Sequence, residues 1–307
     1  MSLRVIVGAG AAARTAARLF ADDGERVRIV TRSGGGPEHP LVERIALDAG
    51  DPADADRLAR LAEGADTVFN CAITPYHTWP TTVPPLYRAI LAAAERSGAD
   101  YVMLGNVYGY GPVDGPLTEE HPLDATGPKG RVRARMWEEA AEAHAAGRVR
   151  ATEVRAGQFL GAGVLSVFTL TVQAQVLAGR LALTPQELDT PHGYAATDDV
   201  ARALVAVARD DRSWGRPWHA PAINASVREV AGRLAELAGA PEPRLATLSD
   251  RELATLALTD PLWGEVEETA HLSHRPFTLD ASRIEKVFGT KASPLDDVLR
   301  EAAGLKG

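Results

Sequence analysis

The chain opens with a strand, a glycine turn and a helix in immediate succession. Leu3-Arg-Val-Ile-Val7 is a short apolar run, Gly8-Ala-Gly10-Ala-Ala-Ala13 follows it, and a helical stretch runs from Ala11 to Asp23. In this order the backbone N–H groups of the turn and the helix N-terminus are placed to hold the pyrophosphate of a dinucleotide. Gly8 serves the tight turn and Gly10 lets backbone approach the phosphates. Ala11 and Ala12 bring the first helical N–H groups, and Ala13 stands where helix must pack closely on strand. The helix stops at Gly24 and a second strand, Arg26 to Thr31, completes the βαβ unit that such a turn requires.

Alternation of this kind continues. Strands are predicted at 4–7, 27–31, 44–47, 67–71, 100–104 and 151–155, with helical patterns at 52–63, 83–97 and 131–146 between the later ones. Asp51 before Pro52 supplies an N-cap acceptor followed by proline at the first helical position. Repeated βα units imply an α/β fold, a doubly wound parallel Rossmann sheet. After residue 156 the pattern changes to helices and short irregular pieces, at 164–178, 197–209, 227–238 and 250–256, with a short strand near 217–220. The expected division is therefore a Rossmann domain over 1–156 and a smaller, mostly helical substrate lobe over 157–307, with segments near 195–220 returning to the Rossmann core.

Composition narrows the possible partners. The net charge of −8 and the absence of a dense Lys/Arg run argue against nucleic acid. No apolar run approaches the roughly 18 residues of a membrane span. Cys71 is the only cysteine, so an intrachain disulfide is excluded and a reducing, cytoplasmic compartment is expected. No His/Cys/Asp/Glu grouping has metal-ligand spacing; His271-Leu-Ser-His274 is a lone pair.

Several segments, taken in order, resemble the extended short-chain dehydrogenase/reductase superfamily, of the NAD-dependent epimerase/dehydratase type. Besides the glycine turn, these are Asp48 after the third strand, Asn70-Cys71-Ala72 ending the fourth, and Val107-Tyr108-Gly109 after the fifth. Tyr194-Ala-Ala-Thr-Asp198-Asp199-Val-Ala, Phe277-Thr-Leu-Asp280 and Phe288-Gly289 match later segments. The resemblance implies that Asp48 contacts adenine and that Asn70, Cys71 and Ala72 line a ribose. It also implies a Tyr-x-x-x-Lys pair on the helix downstream, in which tyrosine moves the substrate proton while lysine, on the same helix face, lowers the tyrosine pKa and binds the nicotinamide ribose.

Here the chain departs from the pattern. The window reads Thr126-Gly-Pro-Lys129-Gly-Arg-Val-Arg133, which sets Lys129 at the tyrosine position and Arg133 at the lysine position. The region of the usual serine or threonine reads Met103-Leu104-Gly105-Asn106, without a hydroxyl. Arg133 retains the donors to hold a ribose. Lys129 is the candidate acid or base, since neighbouring positive charge and partial burial both lower a lysine pKa. Tyr108, or Tyr110 beyond it, stands as a substitute phenol. Thr31 occupies the place of a ribose-binding acid, and Arg32 with Ser33 follows it, which favours NADP over NAD. His77, Trp79, Gln158, His192 and Tyr194 fall in segments expected to border a substrate pocket.

The resemblance implies an NAD(P)-dependent oxidoreductase or epimerase-like enzyme. Its substrate is expected to be a polar small molecule, a sugar nucleotide or specialised metabolite, and a homodimer is expected. With the dyad replaced, two alternatives stand beside it: a redox-neutral isomerase, dehydratase or cyclase, and a non-catalytic NADP-sensing protein.

Overall fold

A computed structural model describes residues 2–265, 268 and 271–305. In chain order the elements begin β1 (Leu3–Val7), α1 (Ala11–Asp22), β2 (Arg26–Thr31), β3 (Val42–Ala46), α2 (Ala55–Ala62), β4 (Thr67–Asn70), α3 (Trp79–Ser97), β5 (Asp100–Asn106), α4 (Pro128–Ala145) and β6 (Ala151–Ala156). They continue with β7 (Gln158–Leu160), α5 (Ala174–Leu177), β8 (Leu181–Thr184), β9 (Pro191–Ala196), α6 (Thr197–Arg209), β10 (Pro217–His219), β11 (Ile223–Ser226), α7 (Val227–Ala238) and β12 (Arg244–Thr247). The last described helices are α8 (Asp250–Ala257), α9 (Pro261–Gly264), α10 (His271–His274), α11 (Ser282–Phe288) and α12 (Leu295–Ala302).

The chain divides into two compact units. The first comprises Met1–Gly109, Pro128–Arg155 and Val200–Trp218; the second comprises Tyr110–Gly127, Ala156–Asp199 and His219–Gly307. Two excursions differ from a simple cut at 156. The loop after β5 crosses into the second unit at Tyr110 before α4 returns to the first. The chain returns to the first unit again over 200–218 to supply most of β10.

The first unit holds a seven-stranded sheet in the order β10-β6-β5-β4-β1-β2-β3. The pairings from β3 through β2, β1 and β4 to β5 are parallel. Every residue of β1 is buried, as expected of a central parallel strand covered on both faces. Alanine makes the covering close: α1 buries Ala12, Ala13, Ala16 and Ala17 together with Phe20, so its backbone lies near the strands. Asp51 caps the turn before α2, its side chain accepting from Ala53 N at 2.9 Å.

Two helices start earlier than the sequence suggests. α3 begins at Trp79 although Pro80, Pro84 and Pro85 lie within it. Pro80 sits in the first turn, where its missing N–H costs nothing, and buried Trp79, Val83, Leu86 and Tyr87 hold the helix through packing. α4 begins at Pro128, which places Lys129 and Arg133 one turn apart on a buried face.

The second unit contains a three-stranded sheet, β11-β9-β7, and a two-stranded pair, β12-β8. β11 runs antiparallel to β9, and β7 runs parallel to it. A core of Leu160, Phe168, Val172, Tyr194, Val230 and Leu234 lies on one face. The helix expected over 164–178 is shorter and irregular: its first part, Thr169–Gln173, is a π-helix that passes into α5. Ser166 and Thr169 account for the late start, because Thr169 Oγ1 accepts from Ser166 N at 2.9 Å and Ser166 Oγ accepts from Thr169 N.

Candidate active site

The candidate site lies in the first unit, at the carboxyl ends of β1, β2 and β4, the edge where open α/β sheets take ligands. Gly8 ends β1 with φ of +104°, and a Cβ there would stand 2.5 Å from the carbonyl oxygen of Cys71. Only glycine meets both conditions. Gly10 has an extended backbone and caps α1 without any side-chain hydrogen bond, so the first turn of α1 keeps donors for a ligand. No atom lies within 4 Å of the position a Cβ at Gly10 would take. One glycine is required by the protein's own backbone, and the other faces open space.

That space is a cavity of about 960 Å³, bordered by Gly8, Gly10, Arg32, Ser33, Asp48, Cys71 and Ala72 among others. These residues fit a dinucleotide: a backbone cradle, a helix N-terminus and a long trough. Asp48 is held by its own loop, its Oδ1 accepting from Gly50 N at 3.0 Å. Arg14, a residue the glycine motif does not single out, donates from Nε to Ala9 O at 2.8 Å. Its guanidinium and the Ser33 hydroxyl both approach Gly35. Burial pushes the Cys71 thiol up to about 12, so the residue acts as small apolar lining and not as a nucleophile. Asn70 corrects the expectation made for it. Its side chain is buried and donates from Nδ2 to the Tyr101 hydroxyl at 2.8 Å, beneath the edge and not along the cavity.

A second group, built from side chains, gathers around the start of α4. Lys129 is 1% exposed, with Nζ 4.6 Å from the centre of the Tyr76 ring. Arg133 is 9% exposed and lies 4.7 Å over the Trp79 ring. Tyr76, Trp79 and Tyr108 pack on one another with ring centres 5.1 to 6.3 Å apart. The Trp79 indole N–H donates to Thr74 O at 3.0 Å and fixes that ring. Tyr108 is fixed in turn by Asn106, whose Oδ1 accepts from Tyr108 N at 3.1 Å. Each cation therefore rests on an aromatic face, an arrangement that gains strength when water is excluded.

Arg133 is well placed but poorly satisfied. Its Nη1 reaches Leu104 O at 3.4 Å, while its buried Nε has no acceptor. Desolvation pulls its pKa down, and the Glu153 carboxylate is the first of the groups opposing that shift. A buried guanidinium with an unused donor is a ready partner for a ligand oxygen.

The structure thus brings together Lys129, Arg133, Tyr108 and Trp79 from the sequence-derived set. It separates others from them. His77 is exposed in the short turn before α3. Gln158 lies in the second unit, where its Oε1 accepts from Phe168 N at 3.0 Å. His192 and Tyr194, 1% and 0% exposed, are interior residues of β9. Tyr194 packs into the second unit's core, and the His192 ring meets Glu187 O at 3.2 Å within the same unit, which corrects their assignment to a pocket wall. Sequence reasoning missed Tyr76, although it sits among the loop residues singled out, and missed Glu153 and Arg155. The visible signal for the last two is a pair of alternate charges inside a short, wholly buried strand. Among the described residues no group of three or more His, Cys, Asp or Glu is arranged to hold a metal. None of the described helices is long and apolar enough to cross a membrane.

The chain is similar to several known proteins. The sequence profile of the NAD dependent epimerase/dehydratase family matches residues 5–219. A dTDP-6-deoxy-L-talose 4-dehydrogenase (NAD(P)(+)) of Kitasatospora kifunensis is 28% identical over 211 residues, which cover 63% of this chain. The match spans 65% of that dehydrogenase, a little under two thirds of its length. Among solved structures, the UDP-glucose 4-epimerase of Bifidobacterium longum in complex with NAD+ and UDP superposes with a TM-score of 0.79 at 18% identity, covering 98% of this chain and 97% of its own. The Bordetella bronchiseptica enzyme WbmH in complex with NAD+ superposes with a TM-score of 0.76 at 16% identity, covering 99% and 97%. At such identities the superpositions establish the shared fold.

Proposed function

The chain belongs to the NAD dependent epimerase/dehydratase family, and on that premise we propose that it is an NADP-dependent oxidoreductase of a sugar nucleotide or a similar polar metabolite. The observation that carries this proposal is the pairing of Lys129 and Arg133, one turn apart on the buried face of α4, in the same unit as the Gly8–Gly10 turn. The cofactor, when bound, supplies a hydride acceptor or donor at the nicotinamide ring. The chain's own residues do the rest. The α1 N-terminus and the Gly8–Gly10 turn hold the diphosphate. Arg133 offers its unused Nε donor to the nicotinamide ribose. Lys129, entering this step as the neutral amine, takes the proton of the substrate hydroxyl at Nζ as the carbonyl forms, becomes the ammonium, and returns the proton in the reverse direction, the role a tyrosine has in the usual dyad. The aromatic wall of Tyr76, Trp79 and Tyr108 keeps water from that proton transfer.

Preference for NADP rests on four side chains. Arg32 and Ser33 border the cavity after β2, Arg14 lies close to Ser33, and Thr31 stands where an acid would repel a 2′-phosphate. Thr31 Oγ1 is turned to Gly35 O, at 3.2 Å, and stabilises the turn.

The likeness to the talose dehydrogenase makes the 4-position of a deoxysugar nucleotide the first substrate to try. Absorbance of reduced nicotinamide, followed with NADPH or NADP+ and a panel of dTDP- and UDP-linked hydroxy and keto sugars, is expected to show turnover that Lys129→Met abolishes. Turnover of a sugar nucleotide without net consumption of cofactor would replace net oxidoreduction by a redox-neutral reaction. Failure of both NADPH and NADH to bind, measured by calorimetry, would overturn the proposal altogether.

A further inference from the structure

The site replaces two familiar groups at once, a hydroxyl on β5 and a lysine on α4, and one residue far away in sequence links the replacements. Glu153, on the inner strand β6, is 1% exposed. Its Oε2 accepts from Arg155 Nε at 2.7 Å within the strand, and Arg155 is itself buried and lies 5.8 Å over the Trp137 ring. The other carboxylate oxygen rests against β5. A Cβ built on Gly105 would stand 1.9 Å from Glu153 Oε1, 2.7 Å from its Cδ and 2.9 Å from its Cγ. Three atoms of one side chain fill the space that any side chain at position 105 would need, so glycine stands at 105 while Glu153 occupies that space. The next contact is one residue earlier on β5, where Leu104 O receives Arg133 Nη1.

We propose that Glu153 is a positioning residue for cofactor binding: its buried carboxylate is the counter-charge that keeps Arg133 folded in beside β5 against Trp79, and its presence is what requires glycine at 105. The inference rests on the assignment of Arg133 to the nicotinamide ribose. An isolated buried guanidinium is expensive, and a carboxylate packed on the neighbouring residue offsets that cost. Burial raises the Glu153 pKa while Arg155, and then Arg133, pull it down, which ties the three groups electrostatically.

Calorimetric titration of NADPH into purified protein tests this without any substrate. Arg133→Ala and Glu153→Gln are each expected to weaken binding by about tenfold or more, and the double variant to be within about twofold of Arg133→Ala alone, because both act through one guanidinium. Effects that multiply instead would overturn the inference while leaving the ribose assignment standing. Unchanged binding in Arg133→Ala would overturn both. The steric half is read by melting temperature. Gly105→Ser is expected to destabilise the wild-type chain strongly and to add no further loss in the Glu153→Ala background. A Gly105→Ser protein that melts and binds like wild type would overturn it.

Discussion

Backbone builds one end of the candidate site and side chains build the other. At the diphosphate end the working groups are N–H donors of a turn and a helix terminus, and the residues present are glycine and alanine. At the α4 end the proposed working groups are Lys129, Arg133 and Tyr108, packed on Trp79 and Tyr76. A backbone cradle depends on dihedral angles and on the absence of Cβ atoms, so little can be changed without loss of function. A side-chain cluster can be exchanged as a set, provided that charge and volume still balance. On the proposed reading, the chain keeps the first arrangement and has exchanged the second. Binding of the nucleotide and chemistry at the substrate are therefore expected to respond differently to mutation.

The two glycines provide the severest test of that contrast. Gly8→Ala forces a Cβ to 2.5 Å from Cys71 O at a φ of +104°. A loss of about 3 kcal/mol or more is expected, with nucleotide binding gone, read by chemical denaturation and calorimetry. Gly10→Val has open space for its side chain, so the melting temperature is expected to stay near wild type while affinity for either nucleotide falls by at least about tenfold. If Gly10→Val bound nucleotide normally, the cradle would not be where the diphosphate sits.

At the other end, Lys129→Met keeps an unbranched side chain in the buried slot and removes the amine. We expect kcat to fall by about 10² to 10⁴ with nucleotide affinity retained, the size of effect that loss of a general acid or base brings. Tyr108→Phe is expected to fall by much less. The reverse order in steady-state rates would move the proton-transfer role to the phenol.

The same contrast explains what could be read from the sequence. β1, Gly8, Gly10 and α1 were legible because a tight turn writes its needs locally, in consecutive residues. Asp51 before Pro52 was legible for the same reason, and the structure shows the cap as expected. The α4 cluster was only half legible. Lys129 and Arg133 emerged because they fall at the two positions of the Tyr-x-x-x-Lys pair that the resemblance implies, but Glu153 makes sense only once β6 lies beside β5, and Gly105 only once Glu153 is seen against it. Tyr76 and the early start of α3 were hidden by three prolines that ordinarily argue against a helix. His192, Tyr194 and Gln158 were chosen for their chemistry. Their true surroundings depend on β7 and β9 pairing inside the second unit, which no local pattern reveals.

Cofactor choice offers a gentler probe of the diphosphate end, because here a side chain has been added to a backbone site. Arg32→Ala is expected to weaken NADPH by about tenfold and NADH by less than about twofold, since only the former has a 2′-phosphate for the guanidinium to meet. Arg14→Ala is expected to act in the same direction and less strongly, as part of its hydrogen bonding is spent on Ala9 O. Equal losses for both nucleotides in Arg32→Ala would show a contact with the shared part of the cofactor and remove the argument for NADP.

The smallest effect concerns what holds the side-chain end in register. α3 carries Trp79 and α4 carries Arg133, and the two helices are joined by Arg88, whose Nε and Nη2 donate to the Glu139 oxygens at 2.8 and 2.6 Å. Arg135 adds a third bond from α4 itself, at 2.9 Å. Arg88 first, with help from Arg135, lowers the Glu139 carboxyl from its usual 4.5 to about 2. A carboxyl depressed on folding contributes stability that is fully present above its usual value and is lost as pH falls from there toward about 2. Both arginines are exposed, so screening keeps the contribution small. Glu139→Gln is therefore expected to lower the melting temperature slightly near neutrality and to narrow its gap to wild type as the solution is acidified. Because the clamp joins the helices of the side-chain end, the same acidification is expected to reduce turnover before it weakens nucleotide binding. Simultaneous loss of both would show that the two ends of the site are mechanically one.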